Sequence, residues 1–418
     1  MAPSSAKGYG HLYQYTNCRI LRDGKIFIED LWVRDGKIMN PEVLFFVEKV
    51  NADQRIDCSN MIIAPGFIDL QINGKPDSNL FLFTLIPTGG CGYDFSTESQ
   101  VEEGLKKVSH GVLAHGVTSF CPTVITSPSS VYKQILPKIK KKNGSKEGAG
   151  VLGVHIEGPF IDREKRGAHP EKYIKDYDNG FSDVLEVYGD LSNVAMITLA
   201  PEKKKTVEVI QEFCKRGIAV SVGHSNANLS QGEEAVRAGA KFITHLFNAM
   251  LPFHHRDPHL VGLLTSDKFP QNRKVYYGLI SDGIHTHPAA LRIAHRVHPE
   301  GIVLVTDAIQ ATFLPDGTYP FGEQTVVVKG KYSYLKDTNT LAGSTASLDE
   351  CVRLFAKETG CGHALALEAA SLHPAQMLDI VDKKGTLDFG SDADFIMLDD
   401  DLQVRATFIA GECVYRAQ

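Results

Sequence analysis

Short apolar runs alternate with segments of helical periodicity through most of the chain. The clearest case has two apolar runs, Ile218–Val222 and Phe242–Thr244, with the helix-forming segment Leu229–Gly239 between them. A strand–helix–strand unit of this kind brings the carboxyl ends of both strands to one edge of a parallel sheet. A histidine follows each strand at that edge, His224 and His245.

The same alternation extends across the middle of the chain. The apolar runs are Ile62–Leu70, Thr118–Cys121, Val151–Ile156, Val194–Leu199, Ala219–Val222, Phe242–Thr244, Tyr276–Ile280 and Ile302–Thr306. The helix-like segments are Glu98–His115, Pro201–Arg216, Gln231–Ala238, Pro288–Val297, Leu348–Thr359 and Ala364–Leu372. Eight such units predict an α/β fold, a (β/α)8 TIM-like barrel with its chemistry at the carboxyl ends of the strands. A doubly wound open sheet is the alternative, but it usually has a glycine-rich phosphate loop after its first strand, and Pro65–Asp69 is not one.

Both ends of the chain contain short β-prone runs instead. They are Tyr15–Leu21, Lys25–Val33 and Leu44–Val50 near the start, and Asp394–Leu398, Val404–Ile409 and Glu412–Tyr415 near the end. We expect a small β-sandwich domain formed from both chain termini, with the barrel inserted in it. The expected boundaries are residues 1–63 and 374–418 for the sandwich and 64–373 for the barrel.

Composition removes several classes of function. The formal net charge of −6 and pI near 6.2 give no basic excess, so we expect no nucleic-acid or anionic-membrane partner. No apolar run approaches the roughly 20 residues of a membrane-spanning helix. The eight cysteines form no C-x-x-C pair and the first residues have no apolar signal core, so we expect free thiols and a cytoplasmic location.

The residues that follow the predicted strands include a set of metal-ligand types. Glu157 comes directly after Val151–Ile156, and with His224 and His245 it supplies one carboxylate and two imidazoles. A catalytic zinc uses such a set and keeps a further position for water, although iron or another divalent ion accepts it too. A single histidine is more often a core or surface residue, but three such residues at strand ends of one barrel predict one divalent metal ion, with zinc favoured.

Two further strand-end residues have the chemistry of proton transfer. Asp307 ends the eighth run and is expected to act as general base and then acid for a metal-activated water, unless it only caps the next segment. His285 follows the seventh run and is placed to stabilise an oxyanion at the substrate carbonyl. Nearby Asp282 is a turn residue in the simpler interpretation.

Basic side chains occur in two loops at the same end of the barrel. Arg256 lies after the sixth strand, and Lys165, Arg166 and His169 lie after the third. These residues predict a cationic rim and an anionic substrate, because arginine suits phosphate and carboxylate groups. Ordinary solvated loop charges are the alternative, chiefly for Lys165 and Arg166.

These residues also resemble a known family. The entry sequence Ala64-Pro-Gly-Phe-Ile-Asp69 is similar to that of the amidohydrolase superfamily, and the remaining motifs resemble the N-acetylglucosamine-6-phosphate deacetylase family within it. Those motifs are His155-Ile-Glu-Gly-Pro-Phe160, Gly167-Ala-His169, Ser221-Val-Gly-His-Ser225, Thr244-His-Leu-Phe-Asn-Ala-Met250, Asp282-Gly-Ile-His285, Val305-Thr-Asp-Ala308, Leu341-Ala-Gly-Ser344 and Gly390-Ser-Asp-Ala-Asp394. They occur in family order from about residue 60 to 395.

The resemblance implies a role for each matching residue. Glu157, His224 and His245 are the implied metal ligands, Asp307 is the general base and acid, and His285 polarises the acetamide. The implied sugar-phosphate site consists of Ala168, His169, Asn248, Ala249, Arg256, His285, Leu341, Ala342 and Gly343. The implied reaction converts N-acetyl-D-glucosamine 6-phosphate to D-glucosamine 6-phosphate and acetate in amino-sugar catabolism. Family members are commonly homodimers in which the neighbouring subunit holds part of the phosphate.

The chain departs from the family pattern at two places. Gln71 and Asn73 stand where many amidohydrolases have the His-X-His of a second metal site, which favours a single metal here. Lys75–Gly90 is an apparent insertion of about 16 residues in the loop after the first strand, on the active-site side, and we expect it to be a disordered or bulged loop. Another amidohydrolase activity, on a cyclic amide or other N-acyl substrate, and an inactive amidohydrolase-like scaffold remain alternatives.

Overall fold

In a computed structural model, the chain is described over residues 10–73, 95, 101–270, 273–312, 314–321 and 324–418. The first seven strands form the N-terminal β structure. They are β1 (Leu12–Thr16), β2 (Arg19–Arg22), β3 (Lys25–Ile28), β4 (Leu31–Arg34), β5 (Lys37–Ile38), β6 (Gln54–Asp57) and β7 (Ile62–Pro65). A four-stranded sheet has the order β5-β4-β1-β6. The tight hairpins β2–β3 and β4–β5 turn at the Asp-Gly pairs, where Asp23, Gly24, Asp35 and Gly36 have positive φ.

The next nine strands form the barrel. They are β8 (Phe67–Ile72), β9 (Val117–Ile125), β10 (Gly150–Val151), β11 (Val154–Glu157), β12 (Val194–Leu199), β13 (Ala219–Val222), β14 (Phe242–Ile243), β15 (Tyr276–Leu279) and β16 (Ile302–Leu304). All pairings among them are parallel, and β8 joins the sheet beside β9. The predicted TIM-like barrel is confirmed.

The first and last barrel strands approach each other through residues just past their ends. The Asp307 N–H donates to the Gln71 carbonyl at 2.9 Å, and the Asn73 N–H donates to the Ala308 carbonyl at 2.7 Å. Inside the barrel the Thr306 hydroxyl donates to the buried Asp69 carboxylate at 2.6 Å. These contacts nearly close the barrel and bring Asp307 to the strand end that bears Gln71.

A three-stranded antiparallel sheet follows the barrel, in the order β17 (Gly317–Phe321), β18 (Gln324–Lys329) and β19 (Tyr332–Leu335). The last three strands are β20 (Phe395–Leu398), β21 (Val404–Ile409) and β22 (Glu412–Arg416). They complete a six-stranded sheet of order β22-β21-β20-β7-β2-β3. The prediction of a small β-sandwich formed from both chain termini is therefore confirmed.

Nine α-helices lie in the described part of the chain. They are α1 (Val101–Gly111), α2 (Ser129–Ile135), α3 (Phe181–Tyr188), α4 (Thr206–Lys215), α5 (Leu229–Ala238), α6 (Pro288–Val297), α7 (Leu348–Thr359), α8 (His363–Glu368) and α9 (Leu372–Met377). Short 3-10 helices span Val112–His115, Glu171–Tyr173, His259–Leu264 and Pro299–Gly301. Among these described helices none is long and apolar enough to cross a membrane.

Several sequence-based boundaries were wrong. Leu44–Val50 is no strand, because Val43–Glu48 forms a short π-helical segment that buries only Leu44. The run Ile62–Leu70 belongs to two sheets and is divided at Gly66, where a Cβ would lie 2.2 Å from the Thr118 side chain. The sheet β17–β19 was not predicted. The apparent insertion Lys75–Gly90 lies outside the described residues.

A chain of buried hydrogen bonds crosses the barrel beneath the strand ends. His155 Nδ1 lies 3.1 Å from the Leu70 carbonyl, which only accepts, so Nδ1 carries the proton and Nε2 accepts from the Thr198 hydroxyl at 2.8 Å. Thr198 in turn accepts from Thr244 at 2.7 Å, and Thr244 accepts from Ser221 at 2.5 Å. The Leu70 carbonyl therefore determines the direction of every hydrogen bond in this row. The row connects five barrel strands whose carboxyl ends carry the site.

Candidate metal centre and substrate cavity

The carboxyl ends of the barrel strands surround a cavity of about 220 Å³. Its lining residues are Asn73, Ile125, Glu157, Gly167, Ala168, His169, His224, His245, Asn248, Ala249, Ile280, His285, Asp307, Ile309, Phe321, Leu341 and Gly343. Most residues selected from the sequence are therefore brought to one place. Arg256, Ala342, Lys165 and Arg166 do not line this cavity.

Glu157, His224 and His245 converge at one point of the cavity wall. Glu157 Oε1 lies 3.2 Å from His224 Nε2 and 3.2 Å from His245 Nε2, and the two Nε2 atoms are 3.0 Å apart. Burial alone would raise the pKa of Glu157, but the two histidines beside the carboxylate outweigh burial and hold this pKa well below its ordinary value. The carboxylate is therefore ionised and available as a ligand.

The hydrogen bonds of His224 identify which of its nitrogens is free to bind. Its Nδ1 lies 2.8 Å from the Lys165 carbonyl, so Nδ1 carries the proton and the lone pair of Nε2 faces Glu157 and His245. The Nδ1 atom of His245 is buried without a hydrogen-bond partner among the described residues. Glu157 Oε1 and the Nε2 atoms of the two histidines lie 3.0–3.2 Å from one another, close to the roughly 3.3 Å that tetrahedral ligation with 2.0–2.1 Å bonds produces. These residues fit a divalent metal ion.

His169 also lies in this cluster, where Glu157, His169 and His224 have ligand atoms within 4.8 Å of one another. Its hydrogen bonds nevertheless differ from those of a ligand. The Thr126 N–H donates to His169 Nδ1 at 3.3 Å, and the Thr126 hydroxyl lies 2.8 Å from the same atom. Nδ1 is therefore the acceptor, and the proton of the neutral ring is on Nε2, 3.8 Å from Glu157 Oε2.

This geometry corrects the expectation that His169 belongs to a cationic rim. The ring is buried, and burial together with the neighbouring His224 lowers its pKa to about 3, so it is neutral. Arg166 is paired with Glu171 at 3.2 Å, and Arg256 lies exposed in the turn His254–Asp257. These described residues therefore do not form the predicted cationic rim around the cavity.

Asp307 faces the cluster from the end of the eighth strand. Its Oδ1 accepts from Asn73 Nδ2 at 2.9 Å and from Gln71 Nε2 at 3.2 Å, and Gln71 Nε2 also reaches Glu157 Oε1 at 2.9 Å. Burial and the nearby Glu157 charge raise the pKa of Asp307 to about 7. The two amides, read from the sequence only as poor metal ligands, are the donors that hold Asp307 beside the cluster.

The backbone at three of these residues is strained. His224, His245 and Asp307 have φ of 48°, 28° and 47°, in the left-handed region that costs non-glycine residues on the order of 1–3 kcal/mol each. Each follows the end of its strand closely. The strain accompanies the abrupt strand ends that present these side chains to the cavity.

The sheet β17–β19 covers one side of the cavity. Phe321 from β17 lines it, and Ile125 and Ile309 pack in the same apolar cluster as Phe321. Gln324 Nε2 donates to the Ala168 carbonyl at 2.6 Å, which ties the sheet to the loop that carries His169. Sequence reasoning missed Phe321 and Gln324, although the β-branched run Thr325–Val328, which ends shortly before Gly330, was a signal for a β-hairpin.

Comparisons with known proteins agree with this geometry. The model of the family described as "Amidohydrolase family" matches residues 62–414. The chain belongs to the amidohydrolase family. A relative from Danio rerio named N-acetylglucosamine-6-phosphate deacetylase is 58% identical over 405 residues, 96% of each chain, which places the chain in that deacetylase family as well.

Solved amidohydrolase structures share the whole fold. The crystal structure of N-acetylglucosamine-6-phosphate deacetylase from Pasteurella multocida is 30% identical and covers 96% of this chain and 99% of its own, with a TM-score of 0.81. A mutant of the enzyme from Mycobacterium smegmatis, solved in complex with N-acetyl-D-glucosamine-6-phosphate, is 27% identical with a TM-score of 0.78 and covers 97% and 100% of the two chains. The fold and family expected from the sequence motifs are both confirmed.

Proposed function

We propose that the chain hydrolyses the acetamide of N-acetyl-D-glucosamine 6-phosphate to D-glucosamine 6-phosphate and acetate. The observation that supports this most directly is the convergence of Glu157, His224 and His245 beside Asp307 in one cavity. Relatives over nearly the full length carry the name of this activity. The enzyme belongs to amino-sugar catabolism in this proposal.

Glu157, His224 and His245 would hold one divalent metal ion, with zinc favoured by the ligand set and iron accepted by it. When bound, the ion supplies Lewis acidity, which lowers the pKa of a water molecule and polarises a carbonyl. The amide Nε2 of Gln71 donates to Glu157 and is no ligand, which supports a single metal. The remaining chemistry is assigned to the side chains around these three.

Asp307 is the proposed general base and acid. Its carboxylate accepts a proton from the attacking water and then returns it to the nitrogen that leaves the acyl carbon. Asn73 and Gln71 fix the carboxylate through Oδ1, so Oδ2 is the oxygen left for this transfer. The raised pKa near 7 suits a group that must both take and give a proton close to neutral pH.

The sequence motifs implied that His285 contacts the acyl oxygen, but the hydrogen-bond pattern supports His169 in this role. His169 is neutral, and its Nε2–H is directed toward the cluster because Thr126 occupies Nδ1. Such a donor stabilises the negative charge that develops on the acyl oxygen. His285 then takes a place in the sugar-phosphate contact, with Asn248, Ala249, Ala168 and Leu341–Gly343.

Arg256 would act across a homodimer. It lies exposed and outside the cavity of its own subunit, so a phosphate contact requires a second copy that presents it. Light scattering measures the size of the assembly and tests whether a homodimer forms. Mixing an Arg256→Ala subunit with an Asp307→Asn subunit should restore acetate release, because one of the two sites then has both residues intact.

We also propose the domain boundaries expected from the sequence, with residues 1–63 and 374–418 in the β-sandwich and residues 64–373 in the barrel. A cytoplasmic location is supported by the free thiols of the described cysteines, of which Cys214 and Cys413 are exposed.

The deciding experiment is acetate release from N-acetylglucosamine 6-phosphate, run beside unphosphorylated N-acetylglucosamine with metal content measured on the same sample. Release from the phosphate ester alone supports the proposal. No release from metal-loaded protein would direct attention to another N-acyl or cyclic amide substrate. No release together with no metal would favour an inactive scaffold.

A further inference from the structure

Asp282 and His285 form a buried acid–imidazole pair at the edge of the cavity. Asp282 Oδ2 lies 2.6 Å from His285 Nδ1, and the two side chains are only 3% and 9% exposed. The other carboxylate oxygen, Oδ1, accepts from the Ile284 and His285 backbone N–H groups, both at 2.8 Å. Asp282 is thus the turn residue expected from the sequence and also the partner of the imidazole.

This arrangement determines which nitrogen of His285 carries a proton. The pKa of Asp282 is lowered because the bonds and charge of His285 outweigh burial, so the carboxylate is ionised and can only accept. Nδ1 of His285 must therefore donate. In this tautomer Nε2 carries the lone pair, and because His285 lines the cavity this nitrogen is placed to accept a hydrogen bond from a bound substrate.

We propose that Asp282 is a positioning residue for substrate binding, which acts by holding His285 in the tautomer protonated at Nδ1, so that Nε2 accepts a hydrogen bond from a hydroxyl group of the sugar phosphate. The proposal rests on the proposed function, since His285 is taken to contact that substrate. It differs from a purely structural role of Asp282 in the turn, which requires only Oδ1.

The substitution Asp282→Asn separates the two roles. An amide nitrogen cannot accept from the Ile284 and His285 N–H groups, so the amide oxygen must take the Oδ1 position and the NH2 group must face His285. The turn is retained, but Nδ1 becomes an acceptor and the ring proton moves to Nε2. We expect kcat/KM for N-acetylglucosamine 6-phosphate to fall at least 10-fold, mainly through KM, with the thermal midpoint and metal content nearly unchanged.

Two measurements decide the proposal independently of stability. In protein labelled with 15N-histidine, the signal that disappears in His285→Gln should report Nδ1–H in the wild type and Nε2–H in Asp282→Asn. In a double-mutant cycle, Asp282→Asn should change kcat/KM less than 2-fold when His285 is already glutamine. An unchanged tautomer, or the same loss in both backgrounds, would overturn the proposal.

The chain contains a matched control. Asp349 forms a similar pair with His115 at 2.9 Å, is also buried, and does not line the cavity. Asp349→Asn should leave KM unchanged, and an equal rise in KM in this variant would mean that loss of any buried Asp–His pair perturbs the site. If the wild type releases no acetate from N-acetylglucosamine 6-phosphate, the proposed function fails, while the 15N measurement still tests the pair.

Discussion

The buried hydrogen-bond chain beneath the metal centre makes a directional prediction about stability. Thr198→Val keeps the shape of the side chain but removes the central hydroxyl. His155 Nε2 then has no donor and the Thr244 hydroxyl loses its acceptor, so two buried groups are left unsatisfied. At roughly 1–3 kcal/mol for each such group, we expect a loss of about 3 kcal/mol in the free energy of unfolding.

Ser221→Ala is the matched variant at the end of the same chain. Ser221 only donates, so its removal leaves Thr244 with one unused lone pair and an intact donor bond to Thr198. We expect this variant to lose about 1 kcal/mol. Thr198→Val breaks two hydrogen bonds and Ser221→Ala breaks one, and the assigned bond direction adds that only Thr198→Val leaves a buried hydroxyl donor unpaired.

Differential scanning calorimetry of both variants, at equal metal content, measures the shift of the thermal midpoint that each substitution causes. An unfolding entropy of about 2.1 cal/mol/K per residue corresponds to about 0.9 kcal/mol/K for 418 residues, so Thr198→Val should lower the midpoint by about 3 °C and Ser221→Ala by about 1 °C. Equal shifts, or a larger shift for Ser221→Ala, would refute the assigned direction and with it the inferred proton on His155 Nδ1.

Predictions for four more variants concern the site and its surroundings. Asp307→Asn should keep its metal but lower kcat by about 10²–10⁴-fold, measured by acetate release, because the base is lost. His169→Gln should also keep the metal, and its kcat should fall by about 10²–10³-fold because the donor to the acyl oxygen is lost. His245→Ala should lose the metal itself, which elemental analysis measures. Asp349→Asn should lower the free energy of unfolding measured in urea. The difference in this free energy between wild type and variant should be about 1 kcal/mol smaller at pH 3 than at pH 6.

The direction of the pH effect in Asp349→Asn follows from the pKa of Asp349. Burial opposes ionisation of Asp349, but the bond and charge of His115, with Arg353, lower its pKa to about 2. The stabilisation is complete above the unfolded pKa of about 3.9 and is lost as pH falls toward 2. A difference in unfolding free energy that stays constant between pH 6 and pH 3 would contradict the pairing of Asp349 with His115.

For the two histidine variants, loss of the metal in His169→Gln, or retention of the metal in His245→Ala, would contradict the roles assigned to these residues.

The sequence predicted the barrel because local patterns determine it. The apolar runs Ile218–Val222 and Phe242–Thr244 flank the helix-forming segment Leu229–Gly239. Parallel pairing of the two strands then puts His224 and His245 at one edge. Glu157 and Asp307 follow by the same rule, so the residues at strand ends could be selected without any knowledge of contacts.

What the sequence did not predict depends on contacts between distant residues. The role of His169 follows from a bond to the Thr126 backbone, 43 residues away, and the role of Gln71 from bonds to Glu157 and Asp307. Val43–Glu48 has a β-prone composition, yet its tertiary surroundings select a helix in which Phe46 and Val47 remain exposed. Periodicity carries no information about such bonds or surroundings.

The place of β7 in the six-stranded sheet has a consequence for synthesis of the protein on the ribosome. β7, at residues 62–65, lies between β2 and β20, so one of its edges stays unpaired until residues 395–398 have emerged. All barrel strands are translated in between. The barrel can therefore begin to fold first, while the N-terminal strands keep an unpaired edge that is open to pairing with neighbouring chains.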